Sequence, residues 1–440
     1  MIDSILVANR GEIAVRIVRA CREMGIRSVV AYSSADEDSL AVRMADSAIR
    51  VGPAPARDSY LNKTALISAA VLTHCDALHP GVGFLSESAG FAQEVQDAGL
   101  VFIGPQPETI RLLGDKVQAK ITARENDVPV IPGSTGSVED AKAALKSAEE
   151  MGFPVIIKAA AGGGGKGMRI VREAAEFERV LQMAASEAES AFSDGTVYLE
   201  KYLEDPRHVE VQILADEFGN VIHLGERDCS VQEKHQKLIE ESPSPAVTPE
   251  MRERMGADAI RLFKSLDYVG AGTIEFLVVG EEYFFMEVNA RVQVEHPVSE
   301  LVTGVDIVRD QILACSGESL GKTQDDITLR GYAVECRINA RAPGRVTNYL
   351  PPGGYGVRVD SFLYNGYFVP PNYDALIAKI ICYGDNRDEG IRRMQRALSE
   401  FVLEGVPTNL DIQKRILEHK TFQSGKFGTG LLASIMEEVA

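Results

Sequence analysis

The sequence predicts an α/β domain at the N-terminus followed by α+β units, and two patterns predict it. Through the first hundred residues, short apolar runs alternate with amphipathic helical stretches. Beyond a Pro/Gly-rich connector, VPVIPGSTG (128–136), strands instead follow one another in runs.

In chain order, SILVANR (4–10) reads as a strand and GEIAVRIVRACREMG (11–25) as an amphipathic helix stopped by Gly25. SVVAYSS (28–34) is a second strand, LNKTALISAAVLTH (61–74) a helix and ALHPG (77–81) a strand end. GFAQEVQDAG (90–99) and VFIG (101–104) add a further helix and strand. Such βαβ alternation implies a parallel, Rossmann-like sheet with helices on both faces. No GxGxxG follows the first strand, so the sheet is not expected to bind NAD. A helix is predicted from Arg111 to Asn126, with Gly114-Asp115-Lys116 inside it. Next come a helix (139–151), the strand FPVIIKAAA (153–161), the loop GGGGKGM (162–168), the strand RIVR (169–172), a helix (173–192) and the strand TVYLEKYL (196–203). Together these form a small α+β unit hinged to the rest. HVEVQILAD (208–216) and VIHLGERD (221–228) read as strands, with a turn into CSVQEKHQKLIEES (229–242). A helix covers 249–266, a hairpin follows, and another helix lies near 304–316. GYAVECRINA (331–340), YGVRVDSFL (355–363) and ALIAKIICYG (375–384) are strands of a third module, closed by helices at 388–404 and 408–418.

A chain of 440 residues is long enough for two to four domains, and 45% hydrophobic with 25% charged residues is the composition of a globular protein. The net charge of −18 leaves no basic excess for nucleic acid, yet local cations suffice for a phosphorylated substrate. No apolar run reaches the length of a membrane span. MIDSILVANR lacks the basic flank of a signal peptide, so the cytoplasm is the expected compartment. Six scattered cysteines without a CxxC pair read as reduced, buried thiols.

The chemistry concentrates in FMEVNARVQVEHP (285–297). Glu287, Asn289, Arg291, Gln293 and Glu295 alternate with apolar residues, so one extended strand would line all five on one face. A hairpin about Gly280-Glu281-Glu282 would set Glu275 opposite Glu287. Facing carboxylates repel, and with Asn289 beside them they suggest a site for hard cations carrying nucleotide phosphates. A solvated strand face alternates too, but is usually filled by Thr, Lys or Ser. Gly162 to Gly165 offer backbone N–H groups that can cradle phosphate oxygens, although Gly167, not Ser or Thr, follows Lys166 and this is no Walker A loop. Lys158, ending the preceding strand, can reach a phosphate as a point charge. Lys116 and the strand end Glu200-Lys201-Tyr202-Leu203 are weaker signals, Glu200 being an acceptor for an adenine amine. Gln232, His235 and Lys237 cluster within six residues. Arg337 lies in an apolar strand, where something anionic must face it.

These segments, with HPGVGFLSE (79–87), GDK (114–116), IIKAAAGGGGKGMR (156–169), RHVEVQ (207–212) and VECRINA (334–340), resemble the biotin carboxylases of the ATP-grasp superfamily. The likeness runs from Asn9-Arg10-Gly11-Glu12 to the C-terminal helices. It implies a Rossmann-like domain (1–113), an ATP-grasp domain (114–325) with a mobile lid at about 131–203, and a C-terminal α+β domain (326–440). It also implies that ATP phosphorylates bicarbonate to carboxyphosphate, which delivers CO₂ to N1′ of biotin. Lys116, Lys158, Gly164, Gly165, the Glu200–Leu203 segment, His208, Gln232 and His235 would then contact ATP. Glu275, Glu287 and Asn289 would hold two Mg²⁺ or Mn²⁺ ions. Lys237, Arg291, Gln293 and the Val294 backbone would grip bicarbonate, Glu295 would be the general base, and Arg337 would stabilise the biotin enolate.

Two positions depart from the family. Val82 stands where HPGYGFLSE has Tyr, and RAPGRVTNYLPPGG follows RINA where relatives have a longer NAEDP…PSPG stretch. No Met-Lys-Met motif for biotin attachment is present, so the expected partners are a biotin carboxyl carrier protein and a carboxyltransferase subunit, with a homodimer of this chain. The implied role is the first half-reaction of acetyl-CoA carboxylase, on the route to malonyl-CoA and fatty acids. Pyruvate, propionyl-CoA and other acyl-CoA carboxylases, a carbamoyl-phosphate-type ligase and a nucleotide-binding subunit without activity are the alternatives.

Overall fold

A computed structural model describes residues 2–133, 141–159, 168–192, 195–234 and 236–438. At the N-terminus β1 (Ser4–Val7), β2 (Arg27–Ser33), β3 (Ser47–Gly52), β4 (Ala77–His79) and β5 (Val101–Phe102) form a sheet in the order β3-β2-β1-β4-β5. Every pair in it is parallel, as the βαβ alternation predicts. Helix α1 (Gly11–Met24) ends where Gly25 takes the left-handed conformation, φ 70°. Helices α2 (Leu40–Met44), α3 (Lys63–Leu72) and α4 (Ala89–Asp97) complete this part. The helix predicted over 111–126 is two, α5 (Pro107–Gly114) and α6 (Lys116–Glu125). Asp115 breaks it: its backbone is extended, and its carboxylate accepts from the amides of Val117 and Gln118 at 2.9 and 3.1 Å as an N-cap. Lys116 therefore opens a helix.

The small unit comprises α7 (Ala141–Met151), β6 (Val155–Ala159), β7 (Met168–Val171), α8 (Phe177–Phe192) and β8 (Val197–Lys201). Its three strands form a separate antiparallel sheet, β7-β6-β8, over a core of its own around Ile157, Phe177 and Leu199.

The rest is built on one eight-stranded sheet. It contains β9 (Arg207–Ala215), β10 (Val221–Glu233), β11 (Gln236–Ser242), β12 (Gly270–Val279) and β13 (Glu282–Asn289), with α9 (Pro249–Ser265), α10 (His296–Thr303) and α11 (Ile307–Cys315) between and after them. Helix α10 is absent from the sequence prediction, which ran the strand on to Glu295. The turn predicted after Asp228 is also absent: β10 continues through Cys229, Ser230, Val231 and Gln232, all buried or nearly so, because its apolar side chains face the core. Then follow β14 (Tyr332–Asn339), the short β15 (Gly344–Arg345) and β16 (Asn348–Leu350), β17 (Val357–Ser361), β18 (Phe368–Val369), β19 (Leu376–Gly384) and β20 (Val402–Glu404). The strands expected to make a third module instead extend the same sheet, in the order β13-β12-β9-β10-β11-β14-β19-β17. Backbone pairing of β11 with β14, Glu240 opposite Glu335, carries it across residue 326. Helices α12 (Arg387–Glu400), α13 (Leu410–Glu418), α14 (Lys420–Ser424) and α15 (Leu431–Glu437) close the chain. One hydrophobic core joins Ile13 and Ile17 of α1 to Ile380 of β19 and Phe362, so the N-terminal part is fastened to this sheet. Among the described residues no helix is long and apolar enough to cross a membrane.

His223 of β10 lies against α9 where Gly256 leaves room: a Cβ there would come within 2.4 Å of its Nε2. Burial, reinforced by the Arg252 charge, lowers its pKa to about 4. A histidine lowered on folding binds fewer protons folded than unfolded, so its contribution is intact above pH 6.5 and is lost as pH falls towards 4. Unfolding free energy measured by denaturant at about pH 7 and pH 5 should drop by about 1–2 kcal/mol less in His223→Gln than in the parent. Equal drops would contradict the assignment.

Candidate active site

The site is laid out by strand register. Arg227, Glu210, Glu275 and Glu287 are successive partners across β10, β9, β12 and β13. Directly paired residues project to the same face, so four charged side chains form a row across the sheet. The next row holds Gln212, Thr273 and Asn289. Gly280, φ 60°, lets the β12–β13 hairpin turn tightly, with Val279 paired to Glu282. A bulge beside Glu275 brings Glu287 opposite it, as the sequence predicts.

Carboxylates so close need cations. Arg227, fully buried, gives Glu210 one bond of 2.5 Å and reaches Gln212 and Ser299 at 2.7 and 3.0 Å. Lys237 enters from β11, where it pairs with Gln232. Its ammonium donates to Glu210 at 2.6 Å, Glu295 at 2.7 Å and Glu275 at 2.9 Å. Burial opposes a charged lysine, but the surrounding anions outweigh it and hold its pKa well above the ordinary value. Burial likewise opposes an ionised Glu275, yet Lys237 and His208 keep its carboxyl far below the usual range. His208 Nε2 lies 2.6 Å from Glu275, and its Nδ1 lies 2.7 Å from the amide nitrogen of Gln232. That nitrogen also donates to the Cys229 carbonyl at 2.9 Å, which fixes the amide and makes Nδ1 an acceptor. A neutral ring with its proton on Nε2 fits this pattern, whereas the Glu275 charge draws the imidazole towards protonation.

The five polar residues predicted on one strand face do converge, but not through a pleat. Strand β13 ends at Asn289 and α10 begins at His296, so 290–295 is a turn. Arg291 knits it together, donating to Asn289 and Gln293, each at 2.9 Å, while Glu87 takes Arg291 Nε at 2.8 Å and the Ala290 amide at 3.0 Å. Gln293 reaches Glu275 at 3.2 Å and Asn289 reaches it at 2.9 Å. Val294 turns its carbonyl inward to Lys379, 2.7 Å away. Glu295 is wholly buried, one oxygen on Lys237 and the other 2.9 Å from Arg337. Burial opposes its charge, but Lys237, Arg337 and Arg227 hold its pKa well below the ordinary value. Arg337 does face anions: Glu295 and, at 2.5 Å, Glu240.

On the small unit Glu200 is not a solvated strand end. It is buried, with one oxygen on Lys158 and the other on Lys120, each at 2.5 Å. The Lys201 ammonium caps the Gly152 carbonyl at 2.7 Å, and the Lys201 and Tyr202 amides bond to the carbonyls of Pro132 and Pro154. Leu203 lies two residues beyond Lys201, the last residue of the strand. Lys116 is exposed, 3.5 Å from Glu287. Gly164, Gly165 and His235 lie outside the described residues. Glu275, Glu287 and Asn289 lie on adjacent register positions and can offer carboxylate and amide oxygens, a donor set that suits Mg²⁺ or Mn²⁺.

Sequence reasoning missed Glu210, Arg227, Glu240, Glu87 and Lys120. Glu210 had a signal: in HVEVQ, His208, Glu210 and Gln212 alternate with buried valines. Lys120 stands four residues after Lys116, on the same helix face. Glu87, Arg227 and Glu240 become visible only once distant segments meet.

A parallel-sheet domain, a three-stranded unit with its own core and an acidic, lysine-bearing antiparallel sheet together define an ATP-grasp ligase. Three family models match in succession: "Biotin carboxylase, N-terminal domain" over residues 1–110, "Carbamoyl-phosphate synthase L chain, ATP binding domain" over 115–323 and "Biotin carboxylase C-terminal domain" over 335–434. Biotin carboxylase 1 of Bacillus subtilis is 52% identical over 98% of both chains. Among solved structures, the biotin carboxylase–β,γ-ATP complex of Campylobacter jejuni superposes with a TM-score of 0.90, at 45% identity and 99% coverage of both chains. The biotin carboxylase domain dimer of Hydrogenobacter thermophilus 2-oxoglutarate carboxylase, in complex with MgADP, ADP and bicarbonate, gives 0.88 at 44% identity, covering 99% of this chain and 98% of that one. The chain belongs to the biotin carboxylase family. Its activity is the ATP- and bicarbonate-dependent carboxylation of biotin, with Mg²⁺ accompanying the nucleotide.

Among the described residues Glu287 has one ionic partner, the exposed Lys116, so replacing it tests the cation site without emptying the buried network. Glu287→Gln should raise the Mg²⁺ concentration for half-maximal ADP release by about tenfold or more. A metal titration unchanged from the parent would remove Glu287 from the cation site.

Proposed function

We propose that this chain catalyses the first half-reaction of acetyl-CoA carboxylase, carboxylating biotin carried by a separate protein, with Glu295 as base between a bicarbonate grip and a biotin-stabilising arginine. The observation that carries the division of labour is the Glu295 carboxylate, shared between Lys237 and Arg337.

ATP is bound with Lys116 and Lys158 on its phosphates, the Gly164–Gly165 loop over them, and the Glu200–Leu203 edge, His208, Gln232 and His235 around the nucleoside. Glu200 neutralises Lys158 until phosphate arrives. Glu275, Glu287 and Asn289 would hold two Mg²⁺ or Mn²⁺ ions, which when bound neutralise phosphate charge. Bicarbonate is held by Lys237, Arg291, Gln293 and the Val294 backbone. Its arrival draws Lys237 away from three carboxylates, and Glu295 becomes more basic as that cation is shared. Glu295 then accepts the bicarbonate proton while a bicarbonate oxygen bonds to the γ-phosphorus and ADP departs. Carboxyphosphate breaks down to CO₂ and phosphate, the released phosphate takes the N1′ proton of biotin, and Arg337 stabilises the resulting enolate while the N–C bond to CO₂ forms. Glu240 keeps Arg337 oriented from behind.

The unit at 131–203 acts as a lid over ATP; its separate sheet and core support independent movement. The division at 113/114 and 325/326 belongs to the same proposal, although the second boundary falls within one continuous sheet. A biotin carboxyl carrier protein and a carboxyltransferase are the partners, and the carboxyltransferase selects the final acceptor. The dimer described for the Hydrogenobacter relative supports a homodimer. Six free cysteines support a reducing compartment, the cytoplasm.

ADP release should require bicarbonate and rise with free biotin; turnover indifferent to both would overturn the proposal. Glu295→Gln should cut bicarbonate-dependent ADP release by about 10²–10⁴ while ATP affinity stays near the parent's. Arg337→Ala should keep part of that cleavage but lose its coupling to carboxybiotin. Full turnover in the first variant, or full coupling in the second, would contradict these roles.

A further inference from the structure

The turn 290–295 carries Arg291, Gln293 and Glu295, yet it belongs to no strand or helix. Little backbone pairing holds it, so its shape depends on side chains reaching in from elsewhere. Glu87 grips its start, at Ala290 and Arg291. At the other end the Val294 carbonyl accepts from Lys379 at 2.7 Å.

Lys379 is unusual in its own right. It lies in the middle of β19, directly opposite Arg337 of β14 and Asp360 of β17, and its side chain is 0% exposed. Glu12, from the first turn of α1, stands 3.0 Å away and Asp360 3.9 Å away. Glu335, buried two residues from Arg337, also acts on its charge. Burial works against the ammonium, and these anions outweigh it. Taking a lysine entirely out of water is costly even when it is paired. Asp360 is already held by Arg358 at 2.7 Å, so it does not need Lys379 as its cation. What Lys379 alone supplies among the described residues is a donor to the Val294 carbonyl, the peptide unit that leads into Glu295.

We propose that Lys379 is a positioning residue for the carboxylation reaction: by fixing the Val294 carbonyl from the interior, it sets the direction in which Gln293 and Glu295 project towards bicarbonate. The inference rests on the reading of Glu295 as the base. Glu12 has a different task, balancing the buried charge so that the sheet tolerates it. The two roles are separable because one contact is to a neutral carbonyl and the other to a carboxylate.

Three variants separate them: Lys379→Met, Glu12→Gln and the double variant, each followed by thermal unfolding and by bicarbonate-dependent ADP release. Lys379→Met leaves Glu12 unpaired, so both the unfolding midpoint and turnover should fall, kcat by about 10–10²-fold. In the double variant the Glu12 charge is removed together with its cation and the midpoint should recover towards the parent's, while kcat stays low and KM for ATP remains within about twofold of the parent's. Glu12→Gln keeps the Val294 contact, so its kcat should stay within about twofold of the parent's. Recovery of kcat along with stability in the double variant would reduce Lys379 to charge balance and overturn the proposal. So would a loss in Glu12→Gln as large as that in Lys379→Met, a result that stands even if the double variant does not fold. A parent without bicarbonate-dependent ADP release would overturn the functional reading and this inference together. A parent with it, beside a Lys379→Met of equal kcat, would overturn this inference alone.

Discussion

Lys237, nearly out of water and bonded to Glu210, Glu275 and Glu295 at once, is the interaction on which the rest of the site depends. Three carboxylates on adjacent strands and a neighbouring turn repel one another, and the sheet could not bring them together without a cation at their centre. Arg227 on one flank and Arg337 on the other complete the balance, each taking one of these glutamates. Removing one member leaves others buried and unpaired, so the cluster is a unit.

That arrangement also shapes the chemistry. Without substrate, Glu295 is ionised but a poor proton acceptor, because two cations lie on its two oxygens. In the proposed mechanism a bicarbonate that competes for Lys237 lessens one of those contacts and raises the basicity of the group it needs, which would tie proton removal to the presence of the substrate rather than to pH alone. The same carboxylate touches Arg337, so under these proposed roles the bicarbonate half and the biotin half of the reaction would meet on one side chain.

Much of this was legible in the chain. The βαβ alternation fixes the parallel sheet, and the hairpin at Gly280, with a bulge beside Glu275, sets Glu275 against Glu287. An arginine in the apolar run AVECRINA requires a buried anion, and Glu240 and Glu295 meet that requirement. Strict alternation beyond Asn289 misled, because hydrophobic period alone cannot distinguish a strand from a turn whose apolar residues also face inward. Val292, fully buried, is such a residue. Strand β10 was cut short for a related reason: polar residues beyond Asp228 that look like a loop, Ser230 and Gln232, are turned inward onto Asp228 and His208. The continuity of the central sheet past residue 326 was not legible, since pairing of β11 with β14 joins segments about ninety residues apart.

The central claim is that the cluster prepares bicarbonate to attack ATP. Oxygen-18-labelled bicarbonate tests it directly, with the phosphate released during biotin carboxylation analysed by mass spectrometry. Attack by a bicarbonate oxygen leaves that oxygen on phosphorus, so each phosphate should carry one labelled atom. Unlabelled phosphate, formed at the same rate, would mean that water attacks ATP instead and that the Lys237–Glu295–Arg337 arrangement does not direct the reaction.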